Sequence, residues 1–142
     1  MVFIDTNVLV YATVPESPWY EHANAALAGA PAAEGGAISR QVLREYLCAM
    51  SRMPLCDRTN APLAAVVQSL EATFVVLEDG PLVTARLLDL IQQVAVGGRQ
   101  MHDANLVATM LVHGVERLLT ANTADFARFA AWIEVMPLER PG

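Results

Sequence analysis

Apolar residues along this chain follow two alternating rhythms. Short, nearly unbroken runs at residues 2–5 (VFID), 37–39 (AIS), 74–77 (FVVL), 117–120 (RLLT) and 133–136 (IEVM) predict strands. Between them, apolar positions recur three and four apart, and the stretches have recognisable ends. Ser17-Pro18 supplies an N-cap and a first-turn proline, and Gly29 a stop. Residues 60–74 carry apolar side chains at 63, 66, 67 and 70. Asp79-Gly80-Pro81 turns the chain into a helix reaching about Val96, which Gly97-Gly98 breaks. Asp103 can cap a further helix running to His113-Gly114.

Strands that are apolar throughout, interleaved with helices, predict a mostly parallel sheet covered on both faces. The expected fold is a three-layer α/β/α sandwich. The 142 residues contain no internal repeat, low-complexity tract or linker, which predicts one domain over residues 1–142. No apolar run reaches the roughly 18 residues of a membrane span, and no basic segment precedes the first apolar stretch. The expectation is therefore a cytoplasmic protein with no membrane association. Hydrophobic residues nevertheless make up 54% and mean hydropathy is +0.36, a surplus that points to a protein partner or a dimer. Cys48 and Cys56 sit in no metal or redox spacing and read as free thiols.

The first strand stops on a carboxylate, Asp5, followed by Thr6 and Asn7. A core strand gains nothing from an unpaired charge at its end. Three further acids stand at comparable places: Glu45 in the helix after strand two, Asp103 at a helix start, and Asp125 just past strand four. Val42, Leu43, Tyr46, Leu47, Ala49 and Met50 form one apolar stripe, with Glu45 at its border and Cys48 opposite. In open parallel sheets, ligands bind outside the carboxyl ends of the strands. Clustered carboxylates repel unless protons or a cation offset them, and hard oxygen ligands select Mg²⁺ or Mn²⁺. Such ions can orient and acidify a water for phosphodiester cleavage. Each acid also has a plain reading: Asp103 as an N-cap, Glu45 as a solvated helix face, Asp125 as the cap of a short helix over 125–130.

"FIDTNVLV", a glutamate in the helix after strand two, "HDANLVATM" and "TANTADF", in that order and at this length, resemble the PIN-domain family. The resemblance spans essentially the whole chain and is nearest the small VapC-type toxins of toxin–antitoxin pairs. It implies a metal-dependent endoribonuclease using Mg²⁺ or Mn²⁺, with RNA as substrate and an antitoxin as partner. It also implies a homodimer that forms a hetero-oligomer with the antitoxin. Asp5, Glu45, Asp103 and Asp125 match the family's acidic quartet, with Asp5 and Asp103 the firmest metal ligands. Thr6 and Asn7 match the positions after the first acid, where their hydrogen bonds can orient Asp5. Simple capping of the next helix is the alternative for both. Asn122 matches the asparagine of the T-x-N-x-x-D-F pattern and is expected to support the site.

Net charge is −6, from fifteen acids and nine basic residues that are all Arg. An acidic chain is unusual for a nucleic-acid binder. Without the quartet, eleven acids face nine arginines, so much of the acidity belongs to the site. Arg40 and Arg44, one helical turn apart beside Glu45, are the candidate RNA contacts, since Arg grips phosphate bidentately. Arg99 is a weaker candidate. Trp19 and Tyr20 could stack on bases, although core packing is the commoner use of such residues. His22, His102 and His113 show no ligand spacing, and His102 reads as a loop residue rather than a general base.

The absence of Lys excludes receiver-type and haloacid-type phosphoryl chemistry, which needs one near the phosphate. Neither G-K-[ST] nor G-x-G-x-x-G is present, which excludes P-loop and Rossmann sites. Two alternatives stay open: a nuclease of RNA maturation rather than a toxin, and a non-catalytic PIN-like binding module.

Overall fold

The computed structural model describes residues 1–53 and 61–139. Cys56 and the start of the 60–74 helix at Asn60 lie outside the described residues. In chain order the elements are β1 (Val2–Ile4), α1 (Thr6–Thr13), α2 (Tyr20–Ala28), α3 (Ala30–Glu34) and β2 (Gly36–Ser39). They continue with α4 (Arg40–Ser51), α5 (Ala61–Thr73), β3 (Val75–Leu77), α6 (Pro81–Gln93) and α7 (Gln100–Val112). β4 (Arg117–Thr120), α8 (Thr123–Phe126), a 3-10 turn (Ala127–Phe129) and β5 (Glu134–Pro137) follow.

All five strands pair in parallel, in the order β3-β2-β1-β4-β5. β1 is central, with Phe3 set between Ala37 of β2 and Leu118 of β4. Val2, Phe3, Ile4, Ala37, Ile38, Leu118 and Leu119 are all buried, which is why these strands are apolar on both faces. Parallel crossovers are right-handed as a rule, and a reversal of strand order moves them to the other face. Packing follows that division: α1 lies against α2 and α4, and α4 against α5, while α6 lies against α7. The order reverses between β1 and β4, so the sheet's crevice opens beside the end of β1. Asp5 stands there.

Element ends differ from expectation for local reasons. Ser17 does not cap α2, because its Oγ accepts from the Trp19 N–H at 3.1 Å and closes a turn instead. Gly29 does end α2, but Pro31 in the next first turn starts α3, which the pattern did not suggest. α6 ends at Gln93 rather than Val96, where Val94 turns extended. α7 begins three residues before Asp103, so Asp103 is a first-turn residue and not the cap. Gln100 accepts from the Gly97 N–H at 3.1 Å at that entry. The α7 exit uses Gly114 at φ 70°, with the Val115 N–H reaching the Met110 carbonyl. β5 starts one residue late because the Ile133 N–H is tied to the Phe129 carbonyl. Gly36 makes room for Phe74: a Cβ there would lie 2.7 Å from the Phe74 ring, so one of the two would have to shift. Along α4, Val42, Leu43, Tyr46 and Met50 are buried as the stripe predicts, whereas Leu47 is exposed. Cys48 is an exposed free thiol. Among the described residues, no helix is long and apolar enough to cross a membrane.

Candidate active site

Three turns at the carboxyl edge of the sheet, together with α7, bring the acids together. β1 hands over to α1 at Asp5, whose carboxylate is the helix N-cap and accepts from the Thr6 N–H at 2.8 Å. Its backbone N–H is bound to the Leu119 carbonyl of β4, which pins it across the switch point. β2 hands over to α4 through Ser39, which caps Val42, and Glu45 follows one turn in. α7 supplies Asp103 from its first turn, and α8 supplies Asp125 after β4. Asp5, Glu45, Asp103 and Asp125 all line one cleft of about 340 Å³, with Thr6, Asn7 and Asn122. Val10, Tyr11, Ala49 and Phe126 form its apolar wall.

The hydrogen bonds assign finer roles than the sequence did. Asn7 donates to Asp5 Oδ2 at 3.0 Å and to Thr120 Oγ1, while its Oδ1 accepts from the Ala121 N–H. It therefore orients Asp5 and ties α1 to the end of β4. Thr6 touches Asp5 only through its backbone; its hydroxyl donates to Glu45 Oε2 at 3.0 Å. Asn122 contributes through its backbone N–H, which donates to Thr120 Oγ1, and its side chain makes no capping bond. Thr120 is the missed residue at this corner. Its hydroxyl donates to Asp5 Oδ2 at 2.7 Å in a fully buried position. The sequence signal was a polar residue closing an apolar strand, the same signal that marked Asp5.

The electrostatics fit an anionic nest. Burial pushes the Asp5 carboxyl above its ordinary value, with a smaller push from Glu45, although Thr120, Thr6 and Asn7 donate to it and work against the rise. Asp103 is pushed up to about 6 by burial and by the charges of Asp125, Asp5 and Glu45, in that order. Arg128 opposes this from the 3-10 turn. Sequence reasoning passed over Arg128, since nothing in the pattern placed it beside Asp103.

The four acids share a cleft, yet among the described residues no three His, Cys, Asp or Glu side chains gather tightly enough to hold an ion alone. The cleft is thus lined by all four acids of the expected quartet, with no three of them drawn into a tight cluster. Uncompensated carboxylates repel one another, so close convergence is disfavoured without a cation. The donor set still fits Mg²⁺ or Mn²⁺, because such ions take one or two carboxylates and complete their shell with water and phosphate.

The candidate RNA contacts part ways. The Arg40 guanidinium is occupied, donating to Glu71 at 2.8 Å and to Glu78 at 2.9 Å. Arg44 is exposed on the next turn, and Arg99 is exposed at the start of α7. Trp19 stacks on Tyr11 with ring centroids 5.4 Å apart and packs against the core. Tyr20 is half-buried, and the exposed His102 meets the site through its backbone carbonyl.

Solved structures share this fold over nearly the whole chain. A toxin–antitoxin complex from Klebsiella pneumoniae is 22% identical, with 99% of each chain covered and a TM-score of 0.72. FitAB bound to a DNA fragment is 20% identical, covering 97% of this chain and 95% of that one, with a TM-score of 0.74. VapC20 of Mycobacterium tuberculosis, described as a toxin that cleaves the sarcin–ricin loop, is 18% identical. It covers 96% of this chain and 100% of its own, at a TM-score of 0.71. None of the curated proteins compared with the chain matches it. The family model of the PIN domain matches residues 2–131, and the chain belongs to the PIN domain family.

Proposed function

We propose that this protein is a divalent-metal-dependent endoribonuclease that hydrolyses RNA phosphodiester bonds as the toxin of a toxin–antitoxin pair. The observation that carries the reading is the meeting of Asp5, Glu45, Asp103 and Asp125 in one cleft at the sheet's switch point. Forty to nearly sixty residues separate the first three acids in sequence, so a shared cleft is the fold's doing. Membership of the PIN domain family and the likeness to a toxin–antitoxin complex and to VapC20 support the toxin assignment.

Asp5 and Asp103 would hold the Mg²⁺ or Mn²⁺, flanked by Glu45 and Asp125. A bound ion would lower the pKa of a water and stabilise the charge that develops on the phosphate and leaving oxygen. The chain's own residues prepare that chemistry. Thr120, Asn7 and the Thr6 N–H fix the Asp5 carboxylate in one orientation. Thr6 does the same for Glu45. Asp125, exposed at the rim, keeps the entrance anionic, and Arg128 is the nearby cation that limits the repulsion around Asp103.

Purified protein should cut RNA with Mn²⁺ and not with EDTA, and Asp5→Asn should be folded and inactive. Full cleavage by Asp5→Asn would refute the metal-site reading. Expression alone should arrest growth, with relief by a small protein encoded beside it. An active enzyme harmless on expression would instead favour RNA maturation.

A further inference from the structure

Gln41 is 6% exposed on α4 and lies behind the cleft without lining it. Its amide is fully engaged. Nε2 donates to Glu45 Oε1 at 2.9 Å and to the His102 carbonyl at 2.9 Å. Oε1 accepts from Asn105 Nδ2 at 2.8 Å, and that Nδ2 also donates to Asp79 Oδ2 at 3.0 Å. Turning the Gln41 amide over would set acceptor against acceptor and donor against donor, and turning Asn105 over would set its oxygen against two acceptors, so the chain of bonds has one self-consistent direction.

The geometry has a consequence for the acids. Glu45 rides on α4, which follows β2; Asp103 rides on α7, which precedes β4, on the far side of β1. Backbone register between strands does not by itself fix the distance between side chains on these two helices. Gln41 does so directly. It holds Glu45 with one proton and, with the other, the carbonyl of the residue just before Asp103. Asn105, two residues after Asp103, closes the clamp from the same helix. With Thr6 on Oε2, both Glu45 oxygens are held, one from α1 and one through α7.

We propose that Gln41 is a positioning residue that sets the separation of the Glu45 and Asp103 carboxylates, and so the cation affinity and turnover of the cleft. This rests on the nuclease reading above. Gln41→Met keeps the length of the side chain and removes all three hydrogen bonds. Groups that orient metal ligands from behind typically change affinity or activity about 10- to 100-fold when lost.

The test measures Mn²⁺ affinity by electron paramagnetic resonance and steady-state RNA cleavage, for wild type, Gln41→Met, Glu45→Gln and the double variant. Gln41→Met should lose about tenfold or more in Mn²⁺ affinity and in kcat, with KM for RNA unchanged. In the Glu45→Gln background the same change should matter far less, because the two act as one unit. Equal losses in both backgrounds, or wild-type Mn²⁺ affinity in Gln41→Met, would overturn the inference while leaving the nuclease intact. Wild type that neither binds Mn²⁺ nor cuts RNA overturns both. If Gln41→Met does not fold, Asn105→Ala, which releases only the far end of the clamp, takes its place. It should show a smaller loss that again fades in the Glu45→Gln background, and additivity there would overturn the proposal.

Discussion

Replacing Asp103 by Asn should make the metal-free protein more stable and the metal-loaded protein less so. Burial and three neighbouring carboxylates raise Asp103 from 3.8 to about 6. At one pH unit per 1.36 kcal/mol, that rise corresponds to about 3 kcal/mol of penalty on the ionised form. Asp103 is partly open to solvent, and screening reduces the share that Asn recovers to about 1–2 kcal/mol. No hydrogen bond to the carboxylate contributes to its shift, so Asn forfeits none. The sign follows from linkage. The folded state holds the proton more tightly than the unfolded chain between pH 3.8 and about 6, so wild-type stability falls as pH rises through that window. Thermal melts in EDTA should place Asp103→Asn about 3–6 °C above wild type at pH 8. The gain should shrink through pH 5 and be largely gone at pH 4. With saturating Mn²⁺ at pH 8 the order should reverse, since only wild type gains binding energy. A variant less stable than wild type in EDTA at pH 8, or a gain independent of pH, would refute the assignment of repulsion to this site.

Thr120→Val removes a buried 2.7 Å bond to Asp5 without changing volume, and should cost about 1–3 kcal/mol in urea unfolding. Because that hydroxyl favours the ionised Asp5, its loss should also move the acidic limb of the cleavage pH profile upward. Gly36→Ala forces a methyl to 2.7 Å from the Phe74 ring and should destabilise by about 1–3 kcal/mol, with Phe74→Leu restoring much of it in the double variant. Arg44→Ala should weaken RNA binding measured by fluorescence anisotropy at low salt, whereas Arg40→Ala should leave it unchanged. A larger effect at Arg40 would mean that RNA displaces Glu71 and Glu78 from it.

The strands were legible because burial on both faces leaves an unbroken apolar run, and β4 matches residue for residue. Helix ends were less so, since several polar side chains could serve each one. Gln100 rather than Asp103 handles the entry to α7, and nothing local distinguishes them. The acids stood out because charge at a strand end or stripe border is conspicuous. The neutral residues that hold them did not. Gln41, Asn105 and Thr120 are ordinary polar letters until tertiary packing buries Gln41 and Thr120, aims those two at Glu45 and Asp5, and sets Asn105 on the Gln41 amide. One clue was available: Gln41 and Glu45 are four apart, hence on one helix face. Arg40 shows the converse. Its place beside Glu45 in sequence suggested phosphate, but in the fold it pairs with Glu71 of α5 and Glu78 just past β3.

The four acids are not equivalent, and their differences follow from where the fold anchors each one. Asp5 is the most buried, and three donors work against the effect of that burial. Glu45 has a donor on each oxygen. Asp125 sits exposed at the rim. Among the described residues, Asp103 has three carboxylates around it, and only the charge of Arg128 acts the other way. It is therefore the group whose negative charge is least supported by the protein alone. A cation placed among these acids gains most where support is poorest, because it removes three repulsions at once. The fold thus leaves its instability on the side chain that a bound metal would relieve, a trade of resting stability against site chemistry that is common where a site must receive a charge.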